Sequence, residues 1–407
     1  MIGQSLHGRG LFALRSILAG ECVLRISTEI VITPDKLHHE LKELLQENVS
    51  SCARLALLIL SEQFSGQASE WAPYMKCLPQ FGALHNTVLW NDYELELLRQ
   101  SSSAYRRSMQ FRTAIYEEFA AVQHVIQQCP HLFGQGVTRT HFVHAYAVVN
   151  SRAWGIDEGN TVGLVPFVDF FNHSTSCQSF LSFDKEYKYA EVLADRGYNC
   201  GAQVFINYGN YGNDVLAEKF GFTVEDNPND QVEFWMGLSQ LDALYNTRLE
   251  LLQSHGMPMV PRFSGPDDCG NFFPIREVKT INGRGKGIPH SLRALARVLC
   301  ANSDKELIDM AKQASQLDGR LARQPFKDVR KELEAMMLLL TRLDSLIQDH
   351  VGAISALEVA SFFNVNQGSV LCTRRKMALD ILNGEVRILC SATNWLKNHC
   401  TALKSLL

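Results

Sequence analysis

The sequence predicts an α+β protein in which a β-containing N-terminal part carries a large helical insertion and an all-α domain follows. Its length of 407 residues exceeds one ordinary hydrophobic core and indicates two or three domains. Short apolar runs broken by Gly, Asn and Asp occupy 10–33 and 160–222, which is typical of strands. Apolar residues recur every three or four positions in 35–128 and 293–403, which is typical of helices.

The first predicted elements are two short strands. Apolar runs on either side of Ala19-Gly20-Glu21 indicate a pair of strands joined by a tight turn. A helix start follows at Thr33-Pro34-Asp35, where Pro takes the first helical position. Asn91 and Glu94 have the spacing of a capping box, so we expect another helix to begin there.

Two further helices and a return to strands complete the N-terminal part. Residues 105–128 hold apolar side chains at helical spacing, and a helix also fits 139–152. The run Leu55–Leu60 predicts a buried helix, since its surroundings are rich in Ala and Leu. Three short strands are expected after them, at Thr161–Phe167, Tyr187–Leu193 and Gln203–Asn207.

The C-terminal part is expected to be helical throughout. A cluster of Asn, Asp and Pro at 226–230 breaks the chain, and a linker-like stretch rich in Gly and Pro follows at Pro258–Gly287. Apolar residues at helical spacing predict four helices, at Arg293–Leu299, Lys305–Leu317, Val329–Gln348 and Lys376–Leu403.

Composition excludes several classes of protein. No apolar run approaches the 18 residues of a membrane span, and no secretory signal is visible, so we expect no membrane association and no secretion. The net charge of −4 does not indicate nucleic-acid contact, although a local basic patch could still supply one. The 11 cysteines are scattered singly without a CxxC pair, which predicts free thiols in a reducing compartment and no metal site.

Four segments with glycine or polar residues stand at the ends of predicted elements. They are His7–Ala13, Ser151–Trp154, Leu164–Ser174, and Val204–Asn213 with Phe220 and Phe222 beyond it. Gly8 and Gly10 would let a ligand approach the backbone, and Arg152 could clamp a carboxylate. Each segment alone also fits a plain structural role: a turn, a surface ion pair, an Asx-type turn with a hydrogen-bonded His173, or a strand-turn-helix with core aromatics.

In their order along the chain, these segments resemble the SET domain of protein methyltransferases. The specific part is DFFNHS at 169–174 together with NYG at 207–209. The chain is similar to the branch with a split SET domain, typified by the Rubisco large-subunit lysine methyltransferase and the actin-histidine methyltransferase, whose helical insertion resembles Leu55–Pro79. The resemblance implies a SET β-fold over 1–225 with an insertion at about 35–140, followed by an α-helical substrate-binding domain over 231–407.

The resemblance also implies the chemistry, which is transfer of a methyl group from S-adenosylmethionine to a protein, most often to a lysine. Tyr208 matches the catalytic tyrosine whose hydroxyl aligns the methyl group with the amine. Phe220 and Phe222 match the aromatic walls of the substrate channel, although the Rubisco enzyme has Tyr where Phe220 stands. The positions implied for cofactor binding are Gly8, Arg9, Gly10, Ser151, Arg152, Asp169, Asn172, His173 and Tyr208.

The opening IGQSLHGRGLFALRSI is similar to one subgroup of this branch, the plant SET proteins of the plastid transcriptionally active chromosome. That likeness implies a plastid location, partners associated with the plastid-encoded RNA polymerase, and a transit peptide that this chain lacks. If the likeness to this subgroup is set aside, a cytoplasmic or nuclear location is expected. Two hypotheses therefore stand: an active protein methyltransferase, and a SET-like subunit of the polymerase complex with weak or lost catalysis.

Overall fold

The computed structural model describes residues 1–5, 8–99, 102–156, 161–184, 186, 188–261, 268–280, 285–363 and 369–407. His7 and residues 281–284 lie outside these ranges. The chain forms two compact units, one of residues 1–95 and 107–223 and the other of residues 96–106 and 224–407. The domain boundaries expected at 225 and 231 stay a prediction.

The described part of the first unit contains nine strands. They are β1 (Ile2–Ser5), β2 (Gly8–Phe12), β3 (Cys22–Ser27), β4 (Ala153–Ile156), β5 (Thr161–Leu164), β6 (Asn172–His173), β7 (Leu181–Asp184), β8 (Tyr189–Leu193) and β9 (Gln203–Ile206). They form three small sheets in the orders β1-β2-β9-β6, β3-β8-β7 and β4-β5.

Pairing between distant segments positions the site. β2 runs antiparallel to β9, with Leu11 opposite Val204, and β6 runs parallel to β9, with His173 opposite Ile206. The second predicted strand of 10–33 corresponds to β3, whereas β2 overlaps the first one only at Leu11 and Phe12. β3 pairs with β8 and not with β2, and Ile26 lies opposite Ala190, so the expected hairpin is wrong. Apolar runs indicate strands but carry no information about their partners.

The helices of this unit lie mainly between β3 and β4. They are α1 (His39–Leu44), α2 (Ser51–Ser65), α3 (Ala72–Met75), α4 (Asp92–Glu96), α5 (Ser103–Gln128), α6 (Pro130–Phe133) and α7 (Arg139–Arg152), with α8 (Asn213–Lys219) after β9. Short 3-10 turns occupy Thr28–Ile30, Pro34–Lys36, Gly66–Ala68, Thr87–Leu89 and Val168–Phe170. The helix start at Thr33-Pro34-Asp35 is therefore confirmed as a single 3-10 turn with Pro at its beginning.

Two helix predictions in the insertion are confirmed in detail. α2 is buried on most of its surface, because Leu55, Leu57 and Ile59 are inaccessible to solvent. The capping box at the start of α4 is formed: the Glu94 amide donates to Asn91 Oδ1 at 2.9 Å, and the Asn91 amide donates to Glu94 Oε2 at 2.8 Å. The two side chains thus satisfy backbone donors that the first helical turn leaves without partners.

The second unit contains the expected helices and also a sheet that was not expected. Its strands are β10 (Gln231–Ser239), β11 (Val260–Pro261) and β12 (Asp268–Arg276), in the order β10-β12-β11. The prediction of an all-α domain is therefore wrong for this region. Along β10, buried side chains alternate with partly exposed ones, so that Val232, Phe234, Met236 and Leu238 face the core. This is the period of two that a strand with one covered face requires.

The helices of the second unit are α9 (Tyr245–Ser254), α10 (His290–Leu299), α11 (Asp304–Gln316), α12 (Val329–Phe363) and α13 (Ser369–Lys404). The four predicted helices correspond to α10–α13, with α12 and α13 extending beyond the expected bounds. A buried ion pair joins two of these helices: Arg297 Nη2 on α10 lies 2.6 Å from Glu332 Oε1 on α12. Within the described residues, no helix has the length and apolar content needed to cross a membrane.

Candidate active site

The sheet β1-β2-β9-β6 brings three of the four singled-out segments together. Asn172 on β6 donates from Nδ2 to the carbonyl oxygen of Arg9 on β2 at 3.1 Å. The amide of Tyr208, two residues beyond β9, donates to Nδ1 of His173 on β6 at 3.1 Å. Residues more than 160 positions apart in the chain therefore contact each other directly.

Gly10 is needed for the close approach of β2 to its neighbours. A Cβ atom built on Gly10 would lie 2.5 Å from Gln203 Nε2 and 3.0 Å from Asn172 Nδ2, closer than van der Waals contact allows. Gly8 has φ of +88°, a left-handed conformation that side-chain-bearing residues rarely adopt. Glycine is therefore required at the two positions for different reasons: Gly10 leaves space for neighbouring side chains, and Gly8 adopts a left-handed backbone conformation.

Aromatic rings surround Tyr208. The ring centroid of Tyr208 lies 4.8 Å from that of Phe220, 5.2 Å from His173, 6.3 Å from Phe222 and 6.0 Å, edge-on, from Trp154. Its hydroxyl donates to the carbonyl oxygen of Phe171. Burial raises the pKa of Tyr208 above its ordinary value, so the group is a neutral phenol that can donate a hydrogen bond.

Arg152 and Asp169 form a charged pair near this aromatic group. Arg152 Nε lies 3.7 Å from Asp169 Oδ2, and the Tyr74 hydroxyl donates to the same oxygen at 3.1 Å. The Asp169 side chain is 2% exposed, and burial raises its pKa above the ordinary value although the Arg152 guanidinium opposes the shift. Ser151 Oγ accepts from Arg152 Nη1 at 2.9 Å, which fixes the guanidinium at the end of α7.

Several buried polar atoms near these residues have no hydrogen-bond partner within the described ranges. They are Asn150 Nδ2, His173 Nε2 and Gln203 Nε2. Burial lowers the pKa of His173 to about 4, so its ring is neutral near pH 7. Because buried polar groups are almost always hydrogen-bonded, such atoms indicate a polar ligand that supplies their partners.

A cavity of about 290 Å³ lies beside Tyr208. Of the predicted site residues, it is lined by Ser151, Arg152, Asp169, Tyr208 and Phe220. The other predicted residues are outside its lining and connect to it through the sheet and the aromatic group: Gly8, Arg9, Gly10, Asn172, His173 and Phe222. Arg9 turns its guanidinium toward the ring of Phe170, 5.2 Å away, and donates to the carbonyl oxygen of Cys77.

The cavity also has lining residues that the sequence analysis did not select. They are Cys52, Asn150, Trp154, Tyr211 and Lys219, among others. Trp154 and Tyr211 belong to segments already singled out, and an aromatic next to a predicted site residue was the available signal. Cys52 and Lys219 come from helices and carry no motif, so only the fold reveals them.

Family models and relatives agree with this arrangement. Residues 8–209 match the model of the SET domain, and residues 239–389 match the model described as Rubisco LSMT substrate-binding. The chain is 26% identical over 265 residues to the ribulose-1,5 bisphosphate carboxylase/oxygenase large subunit N-methyltransferase, chloroplastic, of Nicotiana tabacum, covering 62% of this chain and 52% of the relative. It is also 26% identical over 263 residues to the chloroplastic [fructose-bisphosphate aldolase]-lysine N-methyltransferase of Arabidopsis thaliana, covering 62% and 53%.

A mammalian relative and two solved structures extend the comparison. The actin-histidine N-methyltransferase of Mus musculus is 25% identical over 273 residues, covering 63% of this chain and 45% of the relative. Rubisco LSMT bound to sinefungin and monomethyllysine superposes with a TM-score of 0.73 at 21% identity, covering 100% of this chain and 88% of that one. The SET domain of LSMT bound to lysine and AdoHcy gives 0.70 at 20% identity, with coverage of 100% and 88%. These structures establish the fold, and the chain spans about half the length of the curated relatives it matches.

Proposed function

Since the chain carries a SET domain followed by a Rubisco LSMT substrate-binding domain, we propose that it is an S-adenosylmethionine-dependent protein lysine N-methyltransferase. The observation that carries the proposal is the cavity in which the Tyr208 phenol, the Arg152–Asp169 pair and the Phe220 ring meet. This combination supplies a hydrogen-bond donor, a charged anchor and an apolar wall within one small volume.

The polar residues fit the cofactor. S-adenosylmethionine has a carboxylate, an ammonium group and an adenine ring, and when bound it supplies the sulfonium methyl group. Arg152 would hold the carboxylate, and Ser151 keeps the guanidinium in place. The orphaned His173 Nε2 and Gln203 Nε2 would donate to acceptors on the ligand, since His173 Nδ1 already accepts from the Tyr208 amide, and Asn172, held by the Arg9 carbonyl, would contribute its amide oxygen. Gly8 leaves the backbone of β2 open, since no atom lies within 4 Å of its Cβ position, and Gly10 makes room for the Gln203 and Asn172 amides.

The aromatic residues fit an acceptor lysine. Methyl transfer needs a neutral amine, because an ammonium has no lone pair, and an apolar channel lowers the pKa of a lysine that enters it. Trp154, Phe220 and Phe222 around Tyr208 provide such walls. Holding the amine and the methyl group at reactive distance can supply roughly 7–11 kcal/mol of the barrier. Alignment is therefore the main task of these residues.

The proposed location is the plastid, where the protein substrate would also be found. Two of the relatives that the chain matches are named as chloroplastic enzymes. A second candidate function is that of a weakly active or inactive subunit bound to partners of the plastid-encoded RNA polymerase. The support for it is Phe220, which stands where the Rubisco enzyme has Tyr and removes one hydroxyl from the channel wall.

The test separates cofactor binding from turnover. Calorimetry with S-adenosylmethionine and transfer of labelled methyl groups to stromal proteins are measured for the wild type and for Tyr208→Phe, with Tyr93→Phe on the exposed surface as the matched control. We expect the wild type and the control to bind and transfer, and Tyr208→Phe to bind the cofactor but lose on the order of 10²-fold in transfer rate. If the wild type binds S-adenosylmethionine without transferring methyl groups, the second candidate function is favoured. If it does not bind S-adenosylmethionine, the proposed methyltransferase function is contradicted.

A further inference from the structure

A lysine of the chain itself lies in the cavity beside Tyr208. Lys219 is the last residue of α8 and directly precedes Phe220, whose ring lies 4.8 Å from that of Tyr208. The side chain of Lys219 lines the cavity together with Tyr208, Tyr211 and Phe220. Its ammonium nitrogen lies 5.5 Å from the centroid of the Tyr211 ring. A lysine of the chain itself and the proposed catalytic Tyr208 therefore line the same cavity.

The ammonium of Lys219 is not held by an ion pair within the described part of the chain, and its contact there is the face of Tyr211. The neighbouring Glu218 makes its ion pair with Arg107, with 3.1 Å between Glu218 Oε2 and Arg107 Nε, although the charge of Lys219 also acts on the pKa of this buried carboxyl. An exposed cation held only over an aromatic ring is stabilised by about 0.5–1 kcal/mol. Breaking a buried ion pair would cost far more. The side chain can therefore move within the cavity at small cost.

We propose that Lys219 is a methylation site of the protein's own catalytic centre, modified in cis. The inference rests on the proposed function, since it uses the same cavity and the same cofactor. Four methylene groups join the amine to the backbone at the end of α8, so a rotation of this stem moves the nitrogen between the Tyr211 face and the neighbourhood of Tyr208. The covalent tether replaces the binding step that an external lysine must make, which favours reaction at the tethered amine.

The reaction conserves atoms and charge. Lys219 first releases one proton to water and becomes a neutral amine. Its lone pair then forms a carbon–nitrogen bond with the methyl group while the carbon–sulfur bond of S-adenosylmethionine breaks, and the electron pair stays on sulfur. The products are S-adenosylhomocysteine and a monomethylated, positively charged Lys219. No oxidant, reductant or metal is required.

The first experiment maps methylation by peptide mass spectrometry. The purified 407-residue chain is incubated with S-adenosylmethionine alone, beside Lys219→Arg, Tyr208→Phe and the surface control Lys312→Arg, whose side chain is 68% exposed. We expect wild type and Lys312→Arg to gain a methyl group at Lys219, at least about tenfold above any other lysine, at a rate independent of protein concentration. Tyr208→Phe should be methylated on the order of 10²-fold more slowly. A rate that rises with protein concentration would overturn modification in cis.

The second experiment tests the position of the amine without turnover. Lysines are acetylated with acetic anhydride in the presence and absence of S-adenosylhomocysteine, and the rate is measured at Lys219 and at Lys312. If Lys219 shares the cavity with the cofactor, S-adenosylhomocysteine slows acetylation at Lys219 severalfold and leaves Lys312 unchanged. Equal rates with and without the ligand would overturn the proposal.

The two failures are distinguishable. Transfer to stromal proteins is measured in the same preparation as methylation of Lys219. Transfer to stromal proteins with an unmodified Lys219 would overturn the inference and leave the proposed function standing. Absence of both, together with absence of cofactor binding, would instead contradict the proposed function on which the inference rests.

Discussion

At the scale of single residues, burial decides which form each polar group takes near Tyr208. The same desolvation keeps the His173 ring neutral, keeps the Tyr208 phenol protonated and raises the pKa of Asp169 against the pull of Arg152. A site assembled in this way offers hydrogen-bond donors and acceptors, and its cationic groups are Arg152 and Lys219. It is suited to orienting reactants and not to moving protons, which agrees with an in-line methyl transfer.

Replacing Gly10 tests the space that the cofactor needs. In Gly10→Ala the new methyl group would press against Gln203 Nε2 and Asn172 Nδ2, 2.5 Å and 3.0 Å from the ideal Cβ position, and both amides must turn away. We expect the affinity for S-adenosylmethionine to fall by about tenfold, or about 1.4 kcal/mol, in calorimetry. Gly352→Ala is the matched control, because no atom lies within 4 Å of its Cβ position. Unchanged affinity in Gly10→Ala would contradict the role given to this glycine.

The neutral state of His173 predicts a dependence of stability on pH. Its pKa falls from 6.5 in an exposed histidine to about 4 in the folded protein, because burial disfavours the charged ring. The unfolded chain therefore binds the extra proton first, and the stabilisation, complete above pH 6.5, is lost as the pH falls toward 4. Protonated Nδ1 would also no longer accept from the Tyr208 amide.

The variant His173→Asn removes this titration and keeps an oxygen that can accept from the same amide. Urea unfolding of both proteins across this pH range should show the wild type losing on the order of 1–2 kcal/mol more than the variant, less than the full shift because the ring is partly exposed. Parallel pH profiles for the two proteins would refute the assignment of a neutral His173.

At the scale of elements, local sequence patterns are sufficient to predict a helix or a cap whose formation depends on its own residues. The 139–152 prediction corresponds residue for residue to α7, and the capping box at Asn91 is formed as its spacing indicates. Composition does not predict the sheet of the second unit, because β10 contains few β-branched residues. Its local signal is the alternation of Val232, Phe234, Met236 and Leu238 at a period of two. Nothing in a run of Met, Phe and Leu distinguishes a strand from a buried helix except that period.

The capping box at α4 allows a measurement at this scale. Asn91→Ala removes the acceptor of the Glu94 amide and leaves a helix start without a side-chain cap. We expect the free energy of unfolding to fall by about 1 kcal/mol in urea denaturation, with the m-value unchanged. Tyr93→Ala serves as control, since this neighbouring side chain is 63% exposed. Equal stability of Asn91→Ala and wild type would show that water replaces the cap at no cost.

At the scale of the whole molecule, the candidate site depends on pairings that no local pattern specifies. Periodicity predicted β9, but the parallel pairing of β6 with β9 and the antiparallel pairing of β2 with β9 are long-range choices. The family resemblance assigned Gly10, His173 and Tyr208 to one cofactor site, but it did not specify which strands pair. Lys219 and Cys52 fall outside those motifs, and their place in the cavity follows from helix packing alone.

The second unit has its own long-range element, a buried polar group that ties the segment 96–106 to α12 and α13. Glu385 Oε1 accepts from the hydroxyls of Ser102 and Ser103 at 3.0 and 2.9 Å, and its Oε2 lies 2.6 Å from His350 Nε2. His350 Nδ1 faces the Leu346 carbonyl at 2.9 Å and must carry a proton to bond it. Burial lowers the pKa of His350, but the hydrogen bond and charge of Glu385 outweigh it and raise the pKa above its ordinary value.

Two substitutions of Glu385 separate its charge from its hydrogen bonds. Glu385→Ala leaves both serine hydroxyls and His350 without their acceptor in a buried site, so we expect the unfolding free energy of the wild type to exceed that of the variant by about 3–5 kcal/mol near neutral pH. Glu385→Gln keeps an oxygen for the serines and an amide that can donate to neutral His350, so its loss of unfolding free energy should be much smaller.

Because the folded pKa of His350 is raised, the charged pair of His350 and Glu385 stabilises the wild type fully below pH 6.5 and loses its effect as the pH rises through the folded pKa. Chemical denaturation as a function of pH should therefore show the advantage of wild type over Glu385→Gln shrinking with rising pH, and an advantage that grows instead would mean that the pair is not charged in the folded protein.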